Sequence, residues 1–358
     1  MKTGYIVRHV ICLILFFLLA LLIYNSYDCI EPFDTDETND IHEPNDIPNV
    51  KWPFINLKDE TGKNINMLGV KAYIDNDENR KAFLKHLKDG HKFIGISSYV
   101  SFPKECLNKH GYCHDNKNNM INDKHIEDYV LGWCHCFREP EKYIRGNRPR
   151  ILISESDFNA ENLEMGKEKI KYDFICVQPK DDKCERKWHS FNKNWPLAEK
   201  CIKVLVDELN LKGIIVGRED CPINVINKKN IETTGSLKYD DCINKIRQSR
   251  FMLLPNFEDA SPRVLSESLV LNKPILVNEN ILGGWKYVND KTGIFFNGNN
   301  IKEQCKKLLN NIERNQYTPR EYYINNYGIE NTGKQLKDFL KKINPDLSEC
   351  KKVRFDYA

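Results

Sequence analysis

The sequence predicts an α/β protein with two domains, in which short parallel strands alternate with helices. Three observations support this prediction. The chain has 358 residues, which is enough for two domains of ordinary size. Its composition, 41% hydrophobic and 29% charged, is typical of a folded globular protein. From residue 171 onward, short apolar runs alternate with amphipathic segments, a pattern that indicates parallel βαβ units.

A membrane anchor is predicted at the N-terminus. Lys2 and Arg8 precede an apolar run over 10–24, and the next Lys or Arg is Lys51. The run is slightly short for a spanning helix, which needs ~20 residues. A cleaved signal peptide is the alternative, but the run does not end in the small residues of a cleavage site. We therefore expect an uncleaved signal anchor over 10–24, with 1–9 as a cytoplasmic tail.

The predicted topology places the bulk of the chain in the lumen of the Golgi or the endoplasmic reticulum, as a single-pass type II membrane protein. The segment 25–50 follows the anchor, and its part from 28 to 50 carries eight Asp or Glu residues. Such a segment buries too little apolar surface to offset the entropy of ordering, so a disordered acidic stem is expected. Because the net charge of the chain is only +3, nucleic acid is not expected as a partner.

Two domains are predicted after the stem, over 51–168 and 169–345, with 346–358 as a tail. In the first domain we expect helices over 83–87 and 126–137 and strands over 91–99 and 150–154. In the second we expect a loop over 231–235 and these elements: strands over 172–177, 213–216, 251–254 and 274–277, and helices over 195–209, 239–249, 262–271, 301–313 and 335–343. Ligands bind at the carboxyl ends of the strands in open sheets of this kind.

The cysteines leave two possibilities open. Of thirteen cysteines, Cys12 lies in the apolar run, and the even number that follows it permits disulfides in an oxidising compartment. A zinc site is the alternative for one cluster, which consists of Cys106, Cys113, Cys134 and Cys136, with His114 and His135 nearby. Disulfides are favoured because this cluster contains no compact Cys-x-x-Cys pair.

The segment 251–296 contains the main candidate site. Ser261 is expected as the N-cap of a helix that begins at Pro262. The free N–H groups and partial positive charge of that helix end suit a diphosphate, and Arg263 adds a charged donor. Glu267, more than a turn inside the helix, can accept hydrogen bonds from a ribose, and Asp259 on the preceding loop can contact a sugar. In the alternative interpretation, the two acids only favour the start of the helix.

This segment, Asp259-Ala-Ser-Pro-Arg-Val-Leu-Ser-Glu267, has the spacing of an acid, seven residues and a glutamate. Over about 170–330 the chain resembles the GT-B-fold retaining glycosyltransferases of the family-4 type, in which the first acid is usually Glu. The resemblance includes four further stretches: Ile214-Ile-Val-Gly217, Glu232-Thr-Thr-Gly-Ser-Leu-Lys-Tyr-Asp-Asp241, Gly283-Gly284 and Lys291-Thr-Gly-Ile-Phe295.

The resemblance implies a GT-B-like fold, with two Rossmann-like domains and a cleft between them. It implies that Asp259 contacts the donor sugar, that Glu267 binds the ribose, and that Lys193 is one of two basic residues on the diphosphate. The second basic residue of the family, an arginine, has no match at its usual place in this sequence. Lys187 or Arg218 can substitute for it. Ser261, Arg263, Gly283 and Gly284 complete the expected donor-binding set.

The family's first domain supplies the acceptor site and a catalytic-site histidine. Here His135 is the candidate, with the turn Glu155-Ser-Asp157 as a second candidate, although a histidine between two cysteines is often structural. Only about 115 residues are available for this domain, which leaves the acceptor and even full activity open.

The expected function is transfer of a sugar from a nucleotide sugar to a lumenal glycan or glycoconjugate, with retention and without a metal or other cofactor. The alternatives are a metal-dependent GT-A transferase that uses Asp75-Asn76-Asp77, an inverting GT-B enzyme of the exostosin or fucosyltransferase type, and a non-catalytic sugar-binding module.

Overall fold

The computed structural model describes residues 47, 49–74, 76–97, 102–103, 120–121, 124–158 and 162–356. The predicted cytoplasmic tail and membrane anchor, and most of the predicted stem, lie outside these ranges. Within them, no helix has both the length and the apolar character that a membrane span requires.

The first sheet is built largely from the N-terminal half of the chain. Its strands, with a short separate hairpin of β4 and β5, are β1 (Phe54–Asp59), β2 (Asn64–Val70), β3 (Lys92–Ile96), β4 (Met120–Ile121), β5 (Lys124–His125), β6 (Val130–Cys134), β7 (Arg150–Ile151) and β14 (Val353–Phe355). The strand order is β14-β1-β2-β3-β6-β7. Strands β2, β3, β6 and β7 are parallel, whereas β1 is antiparallel to both of its neighbours. Helix α1 (Asp77–Lys88) connects β2 to β3.

The prediction of a helix over 126–137 is wrong. Only Ile126–Asp128 form a single 3₁₀ turn, and β6 follows as a buried strand. The apolar residues of this segment recur every three or four positions, which imitates a helix. Pairing with β3 overrides that local pattern, because Trp133 packs flat against Gly95, where a Cβ would overlap its ring.

The second sheet is wholly parallel, with the order β10-β9-β8-β11-β12-β13. Its strands are β8 (Tyr172–Val177), β9 (Gly213–Val216), β10 (Ile231–Thr234), β11 (Ser249–Leu254), β12 (Ile275–Asn278) and β13 (Gly293–Phe296). Its helices are α2 (Trp188–Asn192), α3 (Trp195–Lys203, continued by a π-helical turn over Val204–Glu208), α4 (Tyr239–Arg247), α5 (Arg263–Val270) and α6 (Ile301–Glu313).

The four strands predicted in this domain are confirmed, as are the helices that begin near 195, 239, 262 and 301. The segment predicted as a loop over 231–235 is instead strand β10, which pairs with β9. As an edge strand, β10 is only half-buried and lacks the apolar run of an interior strand.

The end of the chain returns to the first domain. After α7 (Pro319–Asn326), helix α8 (Gly328–Ile343) packs Leu336 and Leu340 into the same core as Leu57 of β1. Strand β14 then pairs with β1, with Phe355 opposite Leu57. The last part of the segment assigned to the second domain, and most of the segment predicted as a tail, therefore complete the first domain.

The two sheets meet at the carboxyl ends of their parallel strands. The loop after β7 contacts the loop after β12, where Asp157 forms a buried ion pair with Lys286 and accepts a hydrogen bond of 2.5 Å from Tyr287 Oη. Trp285 Nε1 donates to the carbonyl oxygen of Cys136 at 2.9 Å. These contacts bring together the two edges at which α/β folds bind ligands.

Candidate functional site

The centre of the site is the loop that joins β11 to α5. Asp259 in this loop is only 9% exposed. Its Oδ2 atom accepts hydrogen bonds from Lys193 Nζ at 2.5 Å and from Asn256 Nδ2 at 2.7 Å. Lys193 follows α2, and its side chain is about one quarter exposed at the edge of the site. The structure therefore brings Lys193 and Asp259 into direct contact, whereas the sequence analysis predicted a separate role for each.

Amide side chains missed by the sequence analysis hold this pair in place. Gln178 Nε2 donates to the Lys193 carbonyl oxygen at 3.0 Å and to Asn256 Oδ1 at 3.2 Å. Asn278 Nδ2 donates to the carbonyl oxygens of Pro255 and Asn256 at 3.2 Å and 3.1 Å. Gln178 follows β8 and Asn278 ends β12, so their position at the carboxyl ends of buried strands was the available signal.

The glycine pair fixes the loop from the other side. Gly283 N donates to the Asp259 carbonyl oxygen at 2.9 Å, and a Cβ at Gly283 would overlap the carbonyl oxygen of Ala260. Gly284 has φ +73°, a left-handed conformation that favours glycine. The Gly-Gly turn is therefore a requirement for the position of Asp259.

The start of α5 differs from the expectation for Ser261. The N-cap is Pro262, and the helix begins at Arg263. Ser261 does not cap the helix. Its Oγ accepts a hydrogen bond from Ser156 N at 2.8 Å and lies 3.1 Å from Ser156 Oγ. Ser261 thus connects the two domains, while Arg263 remains exposed beside it.

Glu267 lies on the inner side of α5 and is 7% exposed. Burial raises the pKa of its carboxyl to about 7, and the charge of Arg263 opposes this rise only in part. The charge of Glu267 in turn contributes to the raised pKa values of Tyr239 and Cys242, which places its carboxyl opposite α4. No donor among the described side chains satisfies this carboxyl, which leaves it available to hydroxyl groups of a ligand.

His135 lies just after β6, on the edge that faces the second domain, and is 6% exposed. Its Nδ1 atom is buried without a hydrogen-bond partner among the described residues. Burial lowers its pKa to about 4, with further lowering by the charges of Lys286 and Arg150. The imidazole is therefore neutral at physiological pH.

The structure does not bring Arg218 to the other charged residues of the site. Its side chain is 1% exposed, and its guanidinium lies 3.8 Å over the ring of Trp195. It donates to Ser190 Oγ at 3.0 Å and to the Pro179 carbonyl oxygen at 3.3 Å. These contacts hold the segment that carries Lys193. Lys187, the other substitute for the family's arginine, is exposed and pairs with Glu185.

A cavity of about 490 Å³ lies beside the start of α5, between the two domains. Charged side chains from both domains line it, as does Trp52, which is 52% exposed. Glu155 forms an ion pair with Lys71 at the cavity wall. The second catalytic candidate was the turn 155–157. Only its Glu155 faces the cavity, because the buried Asp157 carboxylate is already paired with Lys286 and hydrogen-bonded to Tyr287.

Among the described residues, one pair of cysteines forms a disulfide. Cys184 and Cys221 form a disulfide, which joins the segment before Lys193 to the segment after Arg218. Cys134 and Cys136 are buried free thiols, and Cys106 and Cys113 lie outside the described residues. Burial raises the pKa of the Cys136 thiol to about 12.

The residues 75–77, which the alternative of a metal-dependent transferase would use, lie at the start of helix α1. Asn76 is the N-cap of α1 and accepts a hydrogen bond from Asn79 N at 2.8 Å, while Asp77 starts the helix. Asp75 lies outside the described residues.

No protein-family model and no curated protein sequence matches this chain. Solved structures do match it. A TarM variant from S. aureus, solved with fondaparinux, α-GlcNAc-glycerol and UDP, has 14% identity and a TM-score of 0.53 over 74% of this chain. The pneumococcal O-GlcNAc transferase GtfA, solved with UDP and GlcNAc, has 12% identity and a TM-score of 0.52 over 74% of this chain. Anabaena HepE, solved with UDP and glucose, has 9% identity and a TM-score of 0.52 over 75%.

The chain spans about half the length of TarM and GtfA, at 54% and 55%, and 76% of HepE. The expected α/β fold with two mostly parallel sheets is confirmed as the fold of GT-B glycosyltransferases.

Proposed function

We propose that this chain is a glycosyltransferase that takes a sugar from a nucleotide sugar and passes it to a glycan or glycoconjugate. The observation that carries the proposal is the pair of Lys193 and Asp259, held at the carboxyl edge of a parallel sheet beside the start of α5. Lys193 and the start of α5 suit the diphosphate of such a donor, Asp259 suits its sugar, and the buried carboxyl group of Glu267 suits its ribose.

The donor is bound by the second domain. Lys193 and Arg263 contact the diphosphate, and the carboxylate of Glu267 accepts hydrogen bonds from the ribose hydroxyl groups. Access to the start of α5 requires the contact between Ser156 and Ser261 to part, after which Ser261 faces the donor. Arg218 holds the segment that carries Lys193, and the turn of Gly283 and Gly284 holds the loop that carries Asp259. UDP-sugars are the first donors to test, since UDP is bound in the structures of HepE and GtfA.

The chemistry rests on charge stabilisation. Negative charge develops on the leaving diphosphate. Lys193, which Asp259 holds in place, and the N–H groups of α5, which become accessible once Ser156 and Ser261 separate, stabilise that charge. Asp259 contacts the donor sugar and orients it. His135 is neutral and carries a buried Nδ1 without a partner, so it can exchange hydrogen bonds with a sugar hydroxyl. The transfer is proposed to retain the configuration of the sugar, as the resemblance to family-4-type transferases implies, and to need no catalytic metal.

The acceptor binds in the cavity beside Arg263. Trp52 is half-exposed and offers its ring for stacking against a sugar. Lys71 Nζ lies 5.6 Å from the centre of that ring and, with its ion-pair partner Glu155, offers hydrogen bonds to hydroxyl groups. The first domain supplies most of the cavity wall, and Arg263 at the start of α5 is the lining residue from the second domain, so an acceptor there lies next to the proposed donor site.

The chain acts as a type II membrane protein of the Golgi or the endoplasmic reticulum, with its folded part in the lumen. The disulfide between Cys184 and Cys221 supports an oxidising compartment. Protease treatment of sealed microsomes tests this topology: a C-terminal tag is expected to be protected, and digestion of the tag refutes the lumenal location.

Release of nucleoside diphosphate by the purified chain, with a panel of nucleotide sugars and with EDTA present, tests the function. Turnover with EDTA supports the proposal, whereas loss of turnover on chelation points to a metal-dependent mechanism. Donor binding without turnover points to a non-catalytic sugar-binding module. The anomeric configuration of the product separates retention from inversion. Glu267→Ala should abolish donor binding, and an unchanged affinity removes Glu267 from the site.

A further inference from the structure

The turn between α1 and β3 holds a cluster of three side chains with metal-binding atoms. His86, Asp89 and His91 each contribute one such atom, and all three atoms lie within 4.8 Å of one another. In the part of the chain that the structure describes, no other group of His, Cys, Asp or Glu meets this geometry. The cluster precedes β3, so it lies at the amino-terminal edge of the first sheet, away from the cleft.

The backbone preorganises the two histidines. Helix α1 ends in a Schellman motif, with Gly90 at φ +77°. His91 N donates to the His86 carbonyl oxygen at 3.0 Å, and Gly90 N donates to that of Leu87 at 3.1 Å. This turn folds His91 back over the last turn of the helix. As a result, the two Nδ1 atoms face each other at 3.0 Å.

Packing fixes the orientation of His86, whereas exposure leaves the side chain of Asp89 free to rotate. The His86 ring packs edge-on against Phe54, with centroids 5.6 Å apart and an interplanar angle of 69°. Phe54 is a core residue, so the orientation of His86 is set from within the domain. Asp89 is exposed, and its carboxylate can rotate toward the two imidazoles.

We propose that His86, Asp89 and His91 bind one transition metal ion, with Zn²⁺ as the expected occupant. Two imidazole nitrogens on one tetrahedral Zn²⁺, each at about 2.0–2.1 Å, lie roughly 3.3–3.4 Å apart. The observed separation of 3.0 Å is a few tenths of an ångström shorter, a difference that a small rotation of the half-buried His91 ring removes. Imidazole and carboxylate ligands suit Zn²⁺, and a water molecule completes a four-coordinate site.

The ion would join α1 to β3 at a point remote from the sugar chemistry, so its role is structural. Binding to the folded chain stabilises it by mass action. Sugar transfer and metal binding are therefore separable, and chelation should lower thermal stability without stopping turnover at temperatures where the chain stays folded.

Calorimetric titration of Zn²⁺ into the full-length chain, made without a polyhistidine tag and stripped with a chelator, tests the proposal. We expect one equivalent of Zn²⁺ to bind and to raise Tm. His86→Phe, which keeps the ring contact with Phe54, and His91→Ala should each lose that equivalent and the Tm increase. His189→Ala, which removes an exposed histidine elsewhere, should retain both.

Asp89→Asn should weaken binding about tenfold or more while the metal-free Tm stays unchanged. A wild-type chain that binds no Zn²⁺ would overturn the proposal. The proposal would also be overturned by a His86→Phe chain that has the wild-type Tm without metal and still binds as many equivalents of Zn²⁺ as the wild type. The contact at 3.0 Å would then be a hydrogen bond between a protonated and an unprotonated imidazole nitrogen.

Discussion

Lys193 Nζ lies 2.5 Å from Asp259 Oδ2, although the two residues are 66 positions apart in the chain. Each follows a different strand of the second sheet, so only the parallel fold brings them together. The carboxylate holds the ammonium group in place before a ligand arrives. On the proposed function, a diphosphate that entered the site would compete with Asp259 for Lys193, and donor binding would then be coupled to a change at the residue proposed to orient the sugar.

The first prediction concerns Lys193. Lys193→Ala should lower the rate of sugar transfer by about 10²–10³-fold, because one preorganised donor to the developing charge is lost. Lys187→Ala is the matched control, since Lys187 lies nearby but is exposed and paired with Glu185. Steady-state rates with saturating acceptor measure both variants. Equal rates for the two variants would remove Lys193 from the diphosphate site.

The second prediction concerns the turn that holds Asp259. Gly283→Ala should destabilise the chain by about 1–3 kcal/mol and lower donor affinity, because the new Cβ displaces the backbone at Ala260. Gly298→Ala is the control, since its Cβ would meet Leu197 only at an ordinary contact distance of 3.5 Å. Denaturant unfolding and donor titration should separate the two. A tolerated Gly283→Ala would show that the turn does not constrain the loop.

The third prediction concerns the pH dependence of Glu267. Burial raises its pKa from 4.5 to about 7. A carboxyl whose pKa is higher in the folded state binds more protons there, so the free energy of unfolding decreases as pH rises from about 4.5 to 7. The loss amounts to roughly 3 kcal/mol at most. Glu267→Gln should remove this dependence and unfold at a higher temperature than the wild type at pH 8.

Donor affinity should change with pH in the opposite direction. The ionised carboxylate is the better acceptor for ribose hydroxyl groups, so the affinity for UDP should increase between pH 6 and pH 8. Glu267→Gln should bind UDP about tenfold more weakly at pH 8, with little dependence on pH. Calorimetry at several pH values measures this. The same pH profile in the variant and the wild type would assign the titration to another group.

The fourth prediction concerns the disulfide between Cys184 and Cys221, which are 37 positions apart. Replacing both by serine should lower the free energy of unfolding by about 4 kcal/mol, according to the loop entropy of the unfolded chain. Because the disulfide holds the segment before Lys193, donor affinity should fall as well. Cys350→Ser is the control, as Cys350 is a free thiol in the first domain, away from the proposed donor site. Thermal unfolding with and without a reductant gives an independent measure.

Much of the second domain could be predicted from the sequence. Its interior strands are buried on both faces and therefore appear as short apolar runs, as in β8 and β11. The first domain was harder to predict. The pairing of Leu57 with Phe355 joins the two ends of the described chain, and no local pattern signals such a contact.

The site shows the same division. The spacing of Asp259 and Glu267 predicted a loop followed by a helix, which the structure contains, but the interaction of Asp259 with Lys193 depends on the tertiary fold. Arg218 was expected at the diphosphate as one of two possible substitutes for the arginine of the family that the chain resembles. The structure instead buries its guanidinium on the face of Trp195, a stacked position that the sequence does not distinguish from a ligand contact.

Release of UDP from UDP-sugars, measured in EDTA for the wild-type chain and for Asp259→Asn, tests the central proposal most directly. The wild type should release UDP in the presence of an acceptor. Asp259→Asn keeps the shape of the side chain and leaves Lys193 unpaired, so it should bind UDP at least as tightly but release it far more slowly. A wild-type chain that neither binds nor cleaves any nucleotide sugar, or an Asp259→Asn chain with undiminished turnover, would contradict the proposed function.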